Sequence, residues 1–455
     1  MRRPSAIRHD TQDTLATYKD PNVAASPIEP LSRADTLTED TLPTLSLPDA
    51  ATSKQRQTGN IHFMAVCWSL YLEGWNDGTL GPLLPVMESY FHIGYIIVAL
   101  LFVVNCAGFV SGALCNVWLD SKLGIGKVML MGAVVQLCAY IMMAPCPPFP
   151  VYCLAYCFVG FGMSLQNAQA NGFVGSLKTN MTTKLGIMHA AYGFGAFCSP
   201  FAATHFSESK HWSYHWIISI GLAFTNCLAL LLVFRGKRQD QLMAEAGQQT
   251  NEPEARTANN DHSMYRQIMS IRAVPLLAMF ALIYIGTEVT LGGWIVTFII
   301  DERQGGKNSG YISSGFFGGL TLGRIVLLGL NKLVGEYRVI YLYAIVSIAL
   351  ELTVWFVPSI IENALAVSLI GLLLGPIFPI IVSHATRVLP RALLTASVGL
   401  IGGIGMAGSA AIPFITGVIA SKYGISSLQP LLVSLMVTLV VMWTLVPRGR
   451  RPANA

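Results

Sequence analysis

The chain has 455 residues, 53% of them hydrophobic and only 12% charged, about half the charged share of an ordinary soluble domain, which is roughly 25%. So few charges could not cover a water-soluble fold of this size, which disfavours soluble enzymes, nucleic-acid binders and disordered scaffolds and favours a polytopic membrane protein bathed by lipid. A net charge of +5, spread along the chain, does not argue for a polyanionic partner.

Residues 1–59 are rich in Ser, Thr, Asp and Pro and contain no apolar stretch that could act as a signal peptide, so they read as a disordered cytoplasmic tail. From Ile61 onward, apolar segments of roughly 18–25 residues recur, each long enough to cross a hydrocarbon core of about 30 Å as a helix. Twelve are expected, over 61–85, 93–119, 127–145, 149–177, 184–206, 214–234, 274–300, 309–331, 339–357, 363–386, 393–421 and 427–447. Gly and Pro in the first and eleventh suggest kinks or breaks there. A polar stretch over 236–272 separates six spans from six, so the expected plan is an all-α membrane protein with bundles at 60–235 and 273–447, a cytoplasmic linker and a short tail at 448–455.

With both termini inside, the inner loops carry Lys122, Lys127, Lys178, Lys184, Lys332, Arg338, Arg387 and Arg391, and the outer ones only Lys210, Arg303, Lys307 and Lys422. That asymmetry obeys the positive-inside rule. The nine cysteines are odd in number and form no CxxC pair, so they read as buried small hydrophobes, with Cys146 and Cys153 the only plausible bridge.

The halves repeat. An offset of 211 residues aligns Asp77-Gly-Thr-Leu-Gly81 with Glu288-Val-Thr-Leu-Gly292, and pairs Gly108 with Gly319, Gly112 with Gly323, Asp120 with Asn331, Gly124 with Gly335 and Lys127 with Arg338. With two residues more, Gly195 and Pro200-Phe201 meet Gly408 and Pro413-Phe414. Such a parallel repeat is what two bundles rocking about a midplane cavity require.

Asn116-Val-Trp-Leu-Asp120-Ser-Lys122-Leu-Gly124-Ile-Gly-Lys127 resembles a worn copy of the loop motif of the major facilitator superfamily, Gly-x-x-x-Asp-Arg-x-Gly-Arg-Arg. Within that family the chain looks closest to the fucose-permease-like branch, its fungal members especially. The residues behind that likeness are Gly74-Trp-Asn-Asp77-Gly-Thr-Leu-Gly-Pro-Leu-Leu-Pro85, Ala170-Asn-Gly-Phe-Val174, Tyr284-Ile-Gly-Thr-Glu288-Val-Thr-Leu-Gly-Gly-Trp294 and Gly371-Leu-Leu-Leu-Gly-Pro-Ile-Phe-Pro379. The resemblance implies the superfamily fold and gives Asp77 a part in proton and sugar coupling. It also implies that Asp120, with Lys122, Gly124 and Lys127, forms a switch loop whose acid meets the start of the eleventh helix and a basic residue. The branch's second acid, on the fourth span, is missing: Gln166-Asn167-Ala-Gln169-Ala-Asn171 stands in its place.

An acid kept mid-span costs at least about 2.5 kcal/mol on insertion scales, so Glu73, Asp77 and Glu288 are the expected proton-handling groups. Glu73 and Asp77 lie four apart on one helix face, and Glu288 is Asp77's repeat-related partner. Asn167, Asn171 and His189 are expected to bind solute by hydrogen bonds, and Tyr71, Trp75, Tyr192, Tyr284 and Trp294 by stacking. Arg324 reads as a structural cation. The function expected is alternating-access transport of a small organic solute, proton-coupled and sugar-like. Efflux of a secondary metabolite, or a transporter-like sensor, are the alternatives. No enzyme activity, metal, cofactor or nucleic acid is expected, and the protein reads as a plasma-membrane monomer whose partners are its solute, protons and the bilayer.

Overall fold

A computed structural model of the protein describes residues 52–177, 180–247 and 261–448. The tail over 1–51, Lys178 and the end over 449–455 lie outside the described residues. The expected spans correspond in order to α1 (Ser53–Phe91), α2 (Tyr95–Leu123), α3 (Ile125–Met143), α4 (Phe149–Gly175), α5 (Met181–Ser207) and α6 (His215–Phe234) in the first half. Two linker helices follow, α7 (Gln239–Glu245) and α8 (Asp261–Ser270). The second half comprises α9 (Ala273–Arg303), α10 (Tyr311–Val326), α11 (Leu328–Val334), α12 (Glu336–Phe356), α13 (Ile360–Leu374), α14 (Ile377–Val388), α15 (Arg391–Tyr423) and α16 (Leu428–Leu445). Among the described residues there are no strands.

Three expectations are corrected. Residues 53–59, assigned to the tail, already belong to α1, capped by the Thr52 side chain. The breaks fall in the eighth and tenth spans, not the first and eleventh: α10 and α11 bend by 55° at Leu327, and α13 stops before Gly375-Pro376. The continuous α1 and α15 keep Pro82, Pro85 and Pro413 inside the helix, with Pro82 and Pro413 buried in the surrounding protein. Finally, Cys146 and Cys153 are both free thiols.

Among the described residues, nine helices are long and apolar enough to cross a membrane, or ten with α10 and α11 taken as one bent span. The long helices α1 and α5 are absent from that set. Many of their polar side chains, among them Ser69, Glu73, Asn76, Thr79, Ser199 and Thr204, are buried against protein, and α1 packs along α5 more extensively than any other pair of helices meets.

That packing rests on glycine. A Cβ on Gly74 would strike the Tyr192 carbonyl, one on Gly78 the Ala196 backbone, and one on Gly195 the Tyr71 carbonyl. The same device recurs through the repeat: Gly108 sits on the Cys157 carbonyl and Gly319 on that of Ser368, Gly112 on Phe161 and Gly323 on Leu372. Each partner keeps the 211-residue offset, so the sequence repeat is a repeat of contacts. Gly124 and Gly335, also 211 apart, turn the chain between helices with φ of 77° and 89°, where a side chain would be strained.

The linker is not simply a polar tether. Leu242 and Met243 of α7 are buried among Phe63, Val66, Ile125, Phe173 and Phe234, so α7 closes one end of the first half. Lys237 pairs with Glu245, and Gln239 Nε2 donates to Ser176 Oγ at 2.8 Å. At the opposite, far end the two halves touch: Tyr95 OH donates to Asp301 Oδ2 at 2.8 Å, and the rings of Phe201 and Tyr311 meet with centroids 5.7 Å apart. Toward the linker end, a Cβ on Gly172, Gly186, Gly399, Gly402 or Gly403 would meet nothing within 4 Å. The contacts described between the halves thus include those of Tyr95 with Asp301 and of Phe201 with Tyr311 at the far end.

Overpacking the α1–α5 crossing tests this account. Gly195→Leu should destabilise the purified protein by at least about 1–3 kcal/mol in thermal melts in detergent, or prevent its recovery as a single species. Gly172→Leu, which enters open space, should leave melting unchanged.

Candidate functional site

The α1–α5 crossing brings a hydroxyl to an acid. Tyr192 OH on α5 donates to Asp77 Oδ2 at 2.7 Å, while Asn76 Nδ2 lies 3.4 Å from Asp77 Oδ1. One turn earlier on the same face of α1, Glu73 accepts from Asn167 Nδ2 at 2.9 and 3.0 Å, one contact to each oxygen. Asn167 is itself oriented by Asn171 Nδ2, which donates to its side-chain oxygen at 2.9 Å. Of the fourth-span amides, Asn167 thus serves as donor to the acid on α1, held in place by Asn171.

Behind Asn76 runs a buried polar chain that sequence reasoning did not single out. Ser69 donates to Asn226 at 2.9 Å, Asn226 to Gln166 at 2.7 Å and Gln166 to Gln136 at 2.9 Å. Gln136 donates to Tyr140 at 2.9 Å, and Tyr140 to Asn76 at 3.3 Å. Hydrogen bonding of every member makes burial affordable and locks α1, α3, α4 and α6 together. The signal available was the presence of four amides on apolar spans.

From the second half come Glu288 on α9 and Arg324 on α10. The break at Gly375-Pro376 leaves backbone carbonyls to satisfy, that of Gly375 because Pro379 has no N–H to offer. Tyr284 OH donates to the Leu374 carbonyl at 3.0 Å, and Arg324 Nε reaches that of Gly375 at 3.4 Å. Arg324 lies within electrostatic reach of Glu288 and His189 but makes no ion pair within 4 Å among the described residues. The Tyr192 hydroxyl is within electrostatic reach of Asp77, Glu288 and Glu73 together. Asp77, Asn167, Asn171, Tyr192 and Glu288, with Arg324 in the last turn of α10, all keep part of their surface accessible, and His189 is exposed. Electrostatic reach links these groups across the halves, Tyr192 with the three acids and Arg324 with Glu288 and His189.

Several aromatics expected beside the acids are elsewhere. Tyr71 and Trp75 each stand two positions from Glu73, about 200° around α1 at 3.6 residues per turn, and so on its opposite face. Tyr71 stacks on Trp68 at 5.0 Å, and buried Trp75 stacks on His215 and donates to Ser219 Oγ at 3.0 Å. Trp294 is buried with Nε1 donating to the Pro413 carbonyl at 3.1 Å, packed on Tyr95 and Phe102. Tyr284 is likewise buried. Of the five aromatics, two stand beside an acid: Tyr192, which donates to Asp77, and Tyr284, one turn before Glu288 on α9 and within its reach.

In the last turn of α2, Asp120 is half-buried near Gln169 of α4 and Arg238 of the linker. The nearby cation is Arg238 of the linker, with no ion pair to Asp120 within 4 Å among the described residues. Gly124 lies against the Arg238 side chain, while Lys122 and Lys127 are exposed. Lys122 rests over the Trp118 ring, 4.3 Å from its centroid.

With this geometry in place, similarity to known proteins can be weighed. Residues 66–413 match the sequence profile of the Major Facilitator Superfamily. A Saccharomyces cerevisiae protein, "Bypass of stop codon protein 6", is 28% identical over 400 residues, covering 82% of this chain and 80% of that protein. The crystal structure of the nucleoside transporter NupG superposes with a TM-score of 0.68 at 12% identity, over 85% of this chain and 98% of that one. A bacterial homologue of the human lysosomal transporter Spinster, in its inward-facing and unoccupied conformation, gives 0.67 at 12% identity, over 87% and 97%. At these identities the two structures establish a shared fold.

The Tyr192–Asp77 bond should be measurable as a coupling. Tyr192→Phe should lower stability by about 1.5–3 kcal/mol, the range for hydrogen bonds to charged groups. Adding Asp77→Asn should cost less than the sum of the single effects in thermal melts; strict additivity would refute the bond.

Proposed function

The chain belongs to the major facilitator superfamily, a family of membrane transporters and not of enzymes, and from that premise we propose that it is a proton-coupled secondary transporter of a sugar-like, polyhydroxylated solute. The observation that carries the reading is the gathering of Asp77, Glu73 and Glu288 around Tyr192, in a polar space lined by amides and one arginine. A proton arriving on Asp77 competes with the Tyr192 O–H for Oδ2. Protonation is thereby tied to the α1–α5 contact. Asn167 uses Nδ2 on Glu73, and a solute hydroxyl can take that place, so binding and proton loading act on adjacent turns of one helix.

Alternating access is assigned to rocking of the halves 60–235 and 273–447 about this space. With the termini and linker in the cytoplasm, the closure at Tyr95–Asp301 lies outside and the structure corresponds to an inward-open state. Asp120 with Arg238 then steadies the inner end of the first half as the switch contact. Monomeric action in the plasma membrane fits the same orientation. A sugar is favoured over a flat lipophilic solute because Trp75, Tyr284 and Trp294 are committed to helix packing.

Purified protein in liposomes holding a pH dye, challenged with monosaccharide pools, tests the reading. Proton influx on sugar addition should appear and fall at least about tenfold in Asp77→Asn. Proton movement only against a lipophilic pool would replace symport with metabolite efflux, and a solute that binds without crossing the bilayer would identify a sensor.

A further inference from the structure

A second polar cluster, away from the central space, lies inside the second half. Glu351 on α12 is fully buried, and both its carboxylate oxygens lack a hydrogen-bond partner. Ser347, one turn earlier on α12, and Gln429 on α16 are also fully buried, with the Ser347 hydroxyl and both Gln429 amide atoms unpartnered. Native proteins seldom leave one such group unsatisfied, and here five polar atoms of three residues are.

The helix pairing puts Glu351 and Gln429 together. At the other end of α12, Tyr337 OH donates to the carbonyls of Trp443 at 3.2 Å and Val446 at 3.4 Å, and Trp443 Nε1 donates back to the Tyr337 carbonyl at 2.9 Å. Fourteen residues separate Tyr337 from Glu351, and fourteen separate Trp443 from Gln429. In antiparallel helices both steps are about 21 Å, and fourteen residues fall only about 40° short of four full turns. Glu351 and Gln429 are therefore level, on the faces through which α12 and α16 touch.

Among the described residues, no cation neutralises this acid. Arg303 on α9 bonds the carbonyls of Val354 and Trp355, at 2.9 and 2.8 Å, and makes no ion pair with Glu351 within 4 Å. Glu362 at the start of α13 is another acid, while Arg387 and His384 of α14 are taken at the far end of α12, Arg387 by Glu336 and His384 by the Pro447 carbonyl. Lys332 belongs to α11, which adjoins that same end, and α16 contains no ionisable side chain.

We infer that Glu351 and Gln429 form a proton-binding site, in which the neutral carboxylic acid and the amide hydrogen-bond reciprocally across the α12–α16 interface. The acid O–H donates to Gln429 Oε1, and Gln429 Nε2–H donates to the other carboxyl oxygen, so one proton satisfies all four orphaned atoms after a side-chain rotation. A bound metal ion would use the oxygens but leave the amide N–H unpartnered and directed at a cation. The Ser347 hydroxyl can turn to its own helix's carbonyl one turn back, as serines on buried helix faces do. This proton is structural: it joins two helices of the second half, and it is independent of the coupling assigned to Asp77.

Infrared spectra of the full-length protein in lipid nanodiscs, with glutamate carboxyls labelled with carbon-13, read the site directly. The wild type should show a protonated-carboxyl band that is lost in Glu351→Gln and shifts to higher frequency in Gln429→Leu, where the amide partner is gone. Thermal melts of Glu351→Gln should match the wild type at neutral pH, and exchanging choline for sodium should stabilise neither protein. An unchanged band in both variants, or sodium-dependent stabilisation that Glu351→Gln abolishes, would overturn the proposal. If Glu351→Gln does not fold, the band shift in Gln429→Leu still decides.

Discussion

Everything at the centre of this protein depends on how closely α1 can approach α5. Gly74, Gly78 and Gly195 remove the side chains that would hold the two backbones apart, and the resulting crossing delivers the Tyr192 hydroxyl to Asp77. Carboxylates within a membrane span are costly unless donors surround them. The crossing provides a donor without any cation. The same two helices are absent from the set apolar enough to cross a membrane on their own, so their polarity and their mutual burial are one fact seen twice.

The two halves share this architecture but divide its chemistry. Glycines at repeat-related positions seat repeat-related helices, down to the 211-residue offset between their contact partners. On that common frame, the first half surrounds its acids with neutral donors, Asn76, Asn167 and Tyr192. The second half instead sets Glu288 near Tyr284 and Arg324, beside a broken helix whose free carbonyls hold both. A neutral donor and a fixed cation respond differently to protonation of the acid beside them.

The linker adds a constraint on motion. Burial of Leu242 and Met243 against the first half ties α7 to the ends of α1, α3 and α4, and Arg238 beside Gly124 and Asp120 brings the loop after α2 into the same assembly. At the far end, the Tyr95–Asp301 bond ties α2 to α9.

The class of fold, the approximate positions of the spans, the internal repeat and three of the acids within the spans, Glu73, Asp77 and Glu288, were legible in the sequence, because each follows from a local rule: apolar length, self-similarity at a fixed offset, or charge at mid-span; Glu351 was not. Helical phase alone could also have separated Tyr71 and Trp75 from Glu73, since two residues carry a side chain about 200° around the helix. The donor that each acid would find could not be read off. Asn167 and Tyr192 lie 94 and 115 residues from their partners, and only packing through glycine contacts makes them neighbours. The breaks at Leu327 and Gly375, and the survival of α1 and α15 despite their prolines, were likewise decided by tertiary structure. A proline's missing hydrogen bond bends or breaks a helix according to whether surrounding side chains and backbone can accommodate it, and that surround exists only once the chain has folded.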